Sequence, residues 1–463
     1  MRKRVYLLKP VLSAIKETLM LKKIVLFICI GLLLTLSVYG DGSSNSQAVV
    51  SLPGQIQVNN NVVFNTNGQY GFVATYRRPD GSSDNEVYSF NTSTGQIVDS
   101  KQVAFSPTAI ARDSFGTMVV AGSAVTSSPT ADLHILQTDQ QGRFSSDSCV
   151  SNISVPMTGF GDFIPSQVAI SDLGYGIFSN KANIYVFSTK NTLSHTCGEI
   201  LNVSEIISPE NYRTNNQLIN IDFSKNNNTL SVVWRKSNET FSILLYKLTN
   251  NGSLLPIEVN PANQITNEVV LPPGEIIAKG SNVAFDDTDS EIYFVSSSTG
   301  TIYSCNIYST GGVIEKARYQ LFADGAIQAS LTSPRNIAYR NVQLAGGSQP
   351  VLYISRPLGI SRPLGKKPNA IVTVRASDAS LVSAKMFEEE STMNTTINSA
   401  GTTSYVVMSE GHIYRFETLT GETTSLQSLS DRVLNVYLQE QTGVLAVTSM
   451  SESSGSVNLM QAD

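Results

Sequence analysis

The chain has 463 residues, with 32 Lys and Arg against 37 Asp and Glu, and only 15% of its residues are charged. Apolar residues reach 41%, with 18 Phe and 18 Tyr, which excludes a disordered chain and allows a sizeable core. Residues 1–40 hold seven of the bases and one acid, Glu17; without them 25 bases face 36 acids, a net charge of about −11 that disfavours nucleic acid and anionic membrane surfaces as partners.

The first element is a targeting segment. Arg2, Lys3, Arg4, Lys9, Lys16, Lys22 and Lys23 precede the apolar run Ile24–Leu36, and "SVYGDGSS" then places Val38 and Gly40 at the −3 and −1 positions of a cleavage site. Met20 is an alternative start. The run is shorter than the roughly 20 residues that span a bilayer, and its Cys29 lies ahead of the cleavage point, where no lipid anchor would form. Residues 1–40 are therefore expected to be a cleaved signal peptide and 41–463 a secreted domain, extracellular or periplasmic, with an uncleaved anchor as the alternative. No later segment is apolar enough to cross a membrane.

After Leu36 there is no long helical periodicity. Short runs of Val, Ile, Tyr and Phe alternate with Gly, Asn, Asp and Ser, the pattern of strands and turns. A unit of short strand, polar turn, strong strand, link, strand, Gly turn and strand begins at Val62 ("VVFNTNGQYGFVATY") and recurs from Ala109, Val168, Ile219, Val283, Ile337, Ile397 and Leu434. The starts lie about 37–64 residues apart, the length that four strands of about five residues and their turns require. Such a repeat predicts an all-β fold, a single closed β-propeller of four-stranded blades, eight favoured, or seven if the short last unit merges with its neighbour.

One phrase is written twice. "VYSFNTSTG" from Val87 and "IYRFETLTG" from Ile413 share apolar–Tyr–x–Phe–(Asn/Glu)–Thr–x–Thr–Gly. Each is expected to be the hairpin between a blade's third and fourth strands, with Gly95 and Gly421 supplying positive φ. Tyr88 and Phe90, two apart, share a face and should pack between blades. The last unit ends after three strands, while a spare strand opens the first ("AVVSLPGQIQV", Ala48–Val58). Ala48–Leu52 is expected to complete the eighth blade beside Ser456–Met460, hiding two strand edges and leaving Gln461–Asp463 beyond the pairing.

Over nearly the whole mature chain this pattern resembles secreted propellers of the quinoprotein-like and WD40-like superfamily. The clearest match is "GTMVVAGSAVTSSPTADLHILQTDQQGRF", with its V-x-A-G strand, Asp132 and Gly turn. The Thr-x-Thr-Gly turn is similar to the Asp-x-x-Thr-Gly turn of quinoprotein repeats. The chain departs from them in lacking their docking Trp series, Trp234 being its one Trp, and the WD dipeptide. The resemblance identifies no subfamily.

Signals of chemistry are sparse. Cys149 and Cys197 lie in polar stretches and are expected to form a disulfide, whereas Cys305 sits in the alternating strand "IYSCNIY" as a buried thiol. His134 and His412 fall in strands; His195 is two residues from Cys197. "DDTDSE" (Asp286–Glu291) lacks the Gly and distal Glu of a calcium loop and is expected to be a polar turn. The seven N-x-(Ser/Thr) sequons, at Asn91, Asn152, Asn202, Asn227, Asn238, Asn251 and Asn394, are about as many as this Asn-, Ser- and Thr-rich composition produces by chance. The tandem "ISRPLGISRPLGKKP" is barred from a central strand by its prolines and gathers Arg356, Arg362, Lys366 and Lys367, a candidate contact loop for an acidic partner.

No catalytic, cofactor or metal-binding residue stands out. The expected function is a monomeric binding or scaffold module for a protein or glycan ligand. The alternative is an exported propeller enzyme, a lactonase-like hydrolase or quinoprotein-like oxidoreductase.

Overall fold

Period-two alternation with a Gly- or Asx-containing turn every few residues makes strands that pair with their sequence neighbours, and the chain does this eight times. A computed structural model describes residues 48–462 except 57–61, 78–81, 125–129, 146–150, 157–167, 180–182, 206–216, 225–228, 237–239, 257–266, 278–282, 308–312, 321–335, 345–346, 356–368, 388–391 and 452–453. Among the described residues none is helical, and the strands form eight antiparallel sheets.

Each sheet is one blade, running outward in chain order. Blade 1 holds Val63–Phe64, Tyr70–Arg77, Ser83–Asn91 and Ile97–Gln102; blade 2 holds Ser106–Arg112, Thr117–Ala124, Thr130–Gln137 and Ser151–Pro156. Blade 3 holds Val168–Ser171, Tyr175–Ser179, Asn183–Ser188 and Ile200–Glu205. In blade 4, Gln217–Phe223, Thr229–Arg235 and Phe241–Leu248 are followed by an outer strand in two pieces, Leu254–Pro256 and Glu268–Val270, both paired with Phe241–Leu248. Blade 5 holds Val283–Phe285, Glu291–Val295, Thr301–Ile307 and Val313–Gln320; blade 6 holds Asn336–Leu344, Gly347–Ser355, Asn369–Arg375 and Leu381–Phe387. Blade 7 holds Thr392–Ile397, Thr403–Met408, His412–Glu417 and Thr423–Ser428. Blade 8 is Arg432–Gln439, Val444–Met450 and Gly455–Gln461, completed by the N-terminal strand Ala48–Leu52. The fold is thus an eight-bladed propeller, which settles the choice between seven and eight.

The core is a ring of eight apolar clusters, one at every blade–blade interface. Blades 1 and 2 share Phe72, Met118 and Leu136; blades 2 and 3 share Leu133, Ile135 and Phe187. The series continues through blade pairs 3–4, 4–5, 5–6, 6–7 and 7–8. It ends with Val50, Leu52, Leu434 and Val457 of blade 8 against Val73, Tyr88 and Phe90 of blade 1. With no interface missing, the ring is closed.

Closure uses the expected pair of strands, with the partners Gly455–Leu459 one residue before the expected Ser456–Met460: Ala48 pairs with Leu459, Val50 with Val457 and Leu52 with Gly455. Val50 and Leu52 are fully buried, which contributes roughly 1.5–3 kcal/mol each. The last strand corrects one expectation. Gln461 still pairs with Val444, and Ala462 is buried in the blade 7–8 cluster, its N–H donating to Gly443 O at 2.8 Å and its carbonyl accepting from the Tyr405 hydroxyl. Gln461 and Ala462 are inside the fold, not beyond it, and Asp463 lies outside the described residues.

The doubled phrase is a blade-docking device. Tyr88 and Phe90 enter the cluster with blade 8, and Tyr414 and Phe416 pack against the corresponding cluster with blade 6. The phrase's first Thr is buried and donates its hydroxyl to the glycine carbonyl of its own blade's first turn, Thr92 to Gly68 at 2.7 Å and Thr418 to Gly401. Its Gly has φ 69° at Gly95 and 78° at Gly421. A Cβ there would stand 3.2 Å from the Val49 carbonyl oxygen in one case and 3.1 Å from that of Ala384 in the other. Both glycines therefore rest on the outer strand of the preceding blade, 8 or 6.

Candidate binding face

The two ends of the ring differ in chain composition. At one end lie the turns between first and second strands and between third and fourth. Most are short and pinned by their own side chains. The Asp113 carboxylate accepts from Phe115 N at 3.0 Å and Thr117 N at 2.7 Å, and Asn398 accepts from Thr402 N at 2.9 Å. Asp286 accepts from Ser290 N at 2.7 Å, Glu291 N at 2.9 Å and the hydroxyls of Thr288 and Ser290. These hydroxyl and backbone donors hold its carboxyl below the usual carboxylate range against the opposing effect of burial. "DDTDSE" is a polar turn. Arg112 and Arg340 line this end as well, donating to backbone carbonyls of neighbouring blades, Phe64 O at 3.2 Å and Asn398 O at 3.0 Å.

At the other end, where the innermost strands begin, the chain makes its longest links between blades: 157–167, 206–216, 271–282 and 321–335, with 356–368 inside blade 6. Blades 7 and 8 are entered by the short links 388–391 and 429–431. Recognition segments on a rigid scaffold are carried by such connections.

First strands of neighbouring blades touch one another in blade pairs 1–2, 2–3, 3–4, 5–6 and 7–8. Four first strands share a local device, a one-residue slip in the pairing with the second strand. It falls before Ala109 in blade 2 and before Asn220, Asn394 and Asn435 in blades 4, 7 and 8. A bulge of this kind re-aims the side chains that follow it. In blades 6, 7 and 8 the carboxamides join into a row: Asn336 Nδ2 donates to Asn394 Oδ1 at 3.5 Å, and Asn394 Nδ2 donates to Asn435 Oδ1 at 2.5 Å. Beside it Thr395 and Ser355 share a hydroxyl–hydroxyl bond at 3.0 Å. The row is a neutral strip of donors and acceptors at the start of the inner strands, next to the short links.

Farther along the axis stands Asp222, the only acid in the eight first strands. Its neighbours Ile221 and Phe223 pack toward blade 3, which turns Asp222 away from that cluster. It is half-buried, and burial pushes its carboxyl up to about 7, although a backbone donor at Phe223 works the other way.

The residues singled out in the sequence fall as follows. Cys305 is a free, fully buried thiol, pushed up to about 12 by burial. Cys197 is disulfide-bonded and packs against the blade 2–3 cluster. Its neighbour Gly198 lies against Ser151, with 2.1 Å from a Cβ there to Ser151 Oγ. Cys149 lies outside the described residues, as do Arg356, Arg362, Lys366 and Lys367. His134, His195 and His412 are on blades 2, 3 and 7 and are not brought together; His195 faces Glu199 at 3.7 Å. Among the described residues no three His, Cys, Asp or Glu side chains are placed to hold a metal ion. Sequon residues Asn91, Asn251 and Asn394 are engaged in turns or in the amide row. Asn336, Asn435 and Asp222 come from distant segments, and nothing local in the sequence marks them.

No family model matches the chain, and no curated protein matches it. Solved structures do. The C-terminal WD40 domain of Sif2 superposes with a TM-score of 0.56 at 11% identity, covering 90% of this chain and 99% of that one. The Dos1 propeller also gives 0.56 at 11% identity, covering 90% and 93%. BamB from Moraxella catarrhalis gives 0.51 at 12% identity, covering 89% and 98%. At such identities the likeness is one of fold alone and singles out no subfamily.

Proposed function

We propose that this propeller is a secreted, monomeric binding or scaffold module that holds a protein or glycan ligand at the end of the ring where the inner strands begin. The observation that carries this reading is the neutral row of carboxamides, Asn336, Asn394 and Asn435, at the end of the ring that also carries the long links 157–167, 206–216, 271–282 and 321–335. Carboxamides and hydroxyls offer donors and acceptors without charge, which suits peptide backbone or sugar hydroxyls. Arg356, Arg362, Lys366 and Lys367 belong to the segment between Ser355 and Asn369, the ends of two blade 6 strands at this face, and are proposed to meet acidic groups of the same ligand. Export through cleavage near Asp41 and a Cys149–Cys197 bridge between the third-to-fourth-strand links of blades 2 and 3 belong to the same proposal.

Trp234 supplies the test. It is the only Trp, half-buried at the end of the blade 4 strand that reaches this face, with Lys236 Nζ 5.3 Å from its ring centre. Ligands selected on glycan and peptide arrays should shift its fluorescence on titration. Asn394→Ala with Asn435→Ala should weaken binding at least tenfold, while substitutions in the opposite turns, such as Asp378→Ala, should not. Loss of binding from the opposite turns instead would overturn the assignment.

A further inference from the structure

His134 is a buried titratable side chain, and neither of its ring nitrogens has a hydrogen-bond partner among the described residues. It lies on the third strand of blade 2 and is 7% exposed. Leu136, two residues along, faces blade 1 in the cluster with Phe72 and Val87, and residues two apart on a strand share a face, so His134 faces blade 1 as well. Of the charges in the seam, Lys101 on the outer strand of blade 1 is the one that acts on it, while Arg112, on the first strand of blade 2, stacks over Phe72 and is turned to the Phe64 carbonyl at 3.2 Å. Asp99 shares that face of the strand, but its carboxylate accepts from Phe144 N at 2.8 Å. On His134's own strand, Asp132 accepts from the Thr130 hydroxyl at 2.7 Å. The third strand of blade 1 presents Val87 and Ser89, and the strands flanking His134 within blade 2 pair it with Val120 and Asn152; none of these is charged.

An imidazole without partners is a costly occupant of an apolar seam. What distinguishes it from a leucine of similar bulk is that it titrates. We propose that His134 makes the blade 1–blade 2 seam acid-sensitive: neutral, it is compatible with the closed ring; protonated, it places an unpaired cation beside Lys101 among apolar side chains and opens the seam. Burial first, and Lys101 second, lower its affinity for a proton below the ordinary 6.5. The unfolded or opened state thus binds the proton more readily than the closed state. The closed seam is at full strength above about pH 6.5 and loses stability as pH falls from there through the lowered value.

The test is amide hydrogen exchange of the full mature chain at pH 7.5 and pH 5, corrected for intrinsic rates, together with a direct titration of the three histidines. Exchange at pH 5 should rise first in Ser83–Gln102 and Thr130–Pro156, and His134→Leu should abolish that selective rise. Lys101→Met, which keeps His134, should reduce it and move the His134 titration upward. A His134 pKa at or above 6.5 in the native protein would overturn the proposal even if the leucine variant failed to fold. So would an acid-induced rise spread evenly over the eight blades, or one unchanged in His134→Leu.

Discussion

Val50 and Val457 stand opposite each other in the pairing of the chain's first described strand with its last, both fully buried. That one contact spans almost the whole domain in sequence. Deleting residues 41–58 should leave blade 8 with three strands, expose its edge, and remove Val50, Leu52 and Ile56 from the cluster with blade 1. The expected outcome is a lower melting temperature and aggregation, seen by calorimetry and light scattering. Removing Gln461–Asp463 should also destabilise, because Ala462 is buried and its carbonyl accepts from Tyr405. A tail-less chain that melts like the full one would contradict the placement of Ala462.

Gly71 lies opposite Phe90, and Gly176 lies opposite Phe187. A Cβ on these glycines would meet the facing ring at 2.3 Å and 2.2 Å. The strand glycine is there because the aromatic ring covers its backbone. Gly71→Ala and Gly176→Ala should each destabilise by about 1–3 kcal/mol, as overpacking does. Denaturant melts would show it, and Gly347→Ala, where a Cβ meets nothing within 4 Å but φ is 108°, would separate backbone strain from crowding.

The phrase threonines are predicted to matter through one atom. Thr92→Val or Thr418→Val keeps the shape and removes the donor to a buried turn carbonyl, so each should lose about 1–3 kcal/mol. Serine at either site should recover much of that loss. Equal melting of the valine and serine variants would show that shape, not the hydrogen bond, is what holds the turn.

Asp222 predicts a pH dependence of the opposite sign to that of His134. Its native pKa of about 7 lies above the ordinary 3.8, so the folded chain binds the proton more tightly than the unfolded one between those values. Its contribution is full below about pH 4 and is lost as pH rises toward 7 and beyond. Asp222→Asn should therefore melt higher than the parent at pH 8 and similarly at pH 4. A constant difference across that range would place the cause outside its titration.

Cys305 should resist alkylation in the native protein at pH 8, because burial both shields it and raises its thiol to about 12. It should react fully in guanidinium. Rapid labelling of the native chain would contradict the buried strand position.

Much of this architecture is visible in the residues themselves. Apolar pairs before a polar turn mark each inner strand, and the doubled phrase marks two hairpins, because blade docking reuses the same side chains each time. The split outer strand of blade 4 is not visible: Glu268–Val270 carries no turn signal tying it to Phe241–Leu248. Nor is the bulge before Asn394 and Asn435, since one inserted residue leaves the apolar pattern nearly intact while turning the next side chain elsewhere. The amide row is assembled from Asn336, Asn394 and Asn435, residues of three consecutive blades about 40–60 positions apart, and only the side-by-side packing of those blades makes them neighbours.

The closing strand also decides how the ring answers to force. Ala48 pairs with Leu459 at the same end of the sheet where the chain finishes, and Leu52 pairs with Gly455 at the far end. A pull between the two ends of the domain therefore loads the Ala48–Leu459 pair first and opens the strand one bond at a time, as a zipper, instead of shearing all its bonds together. Heat must break a ring of eight interfaces cooperatively; tension need only peel five residues to undo it.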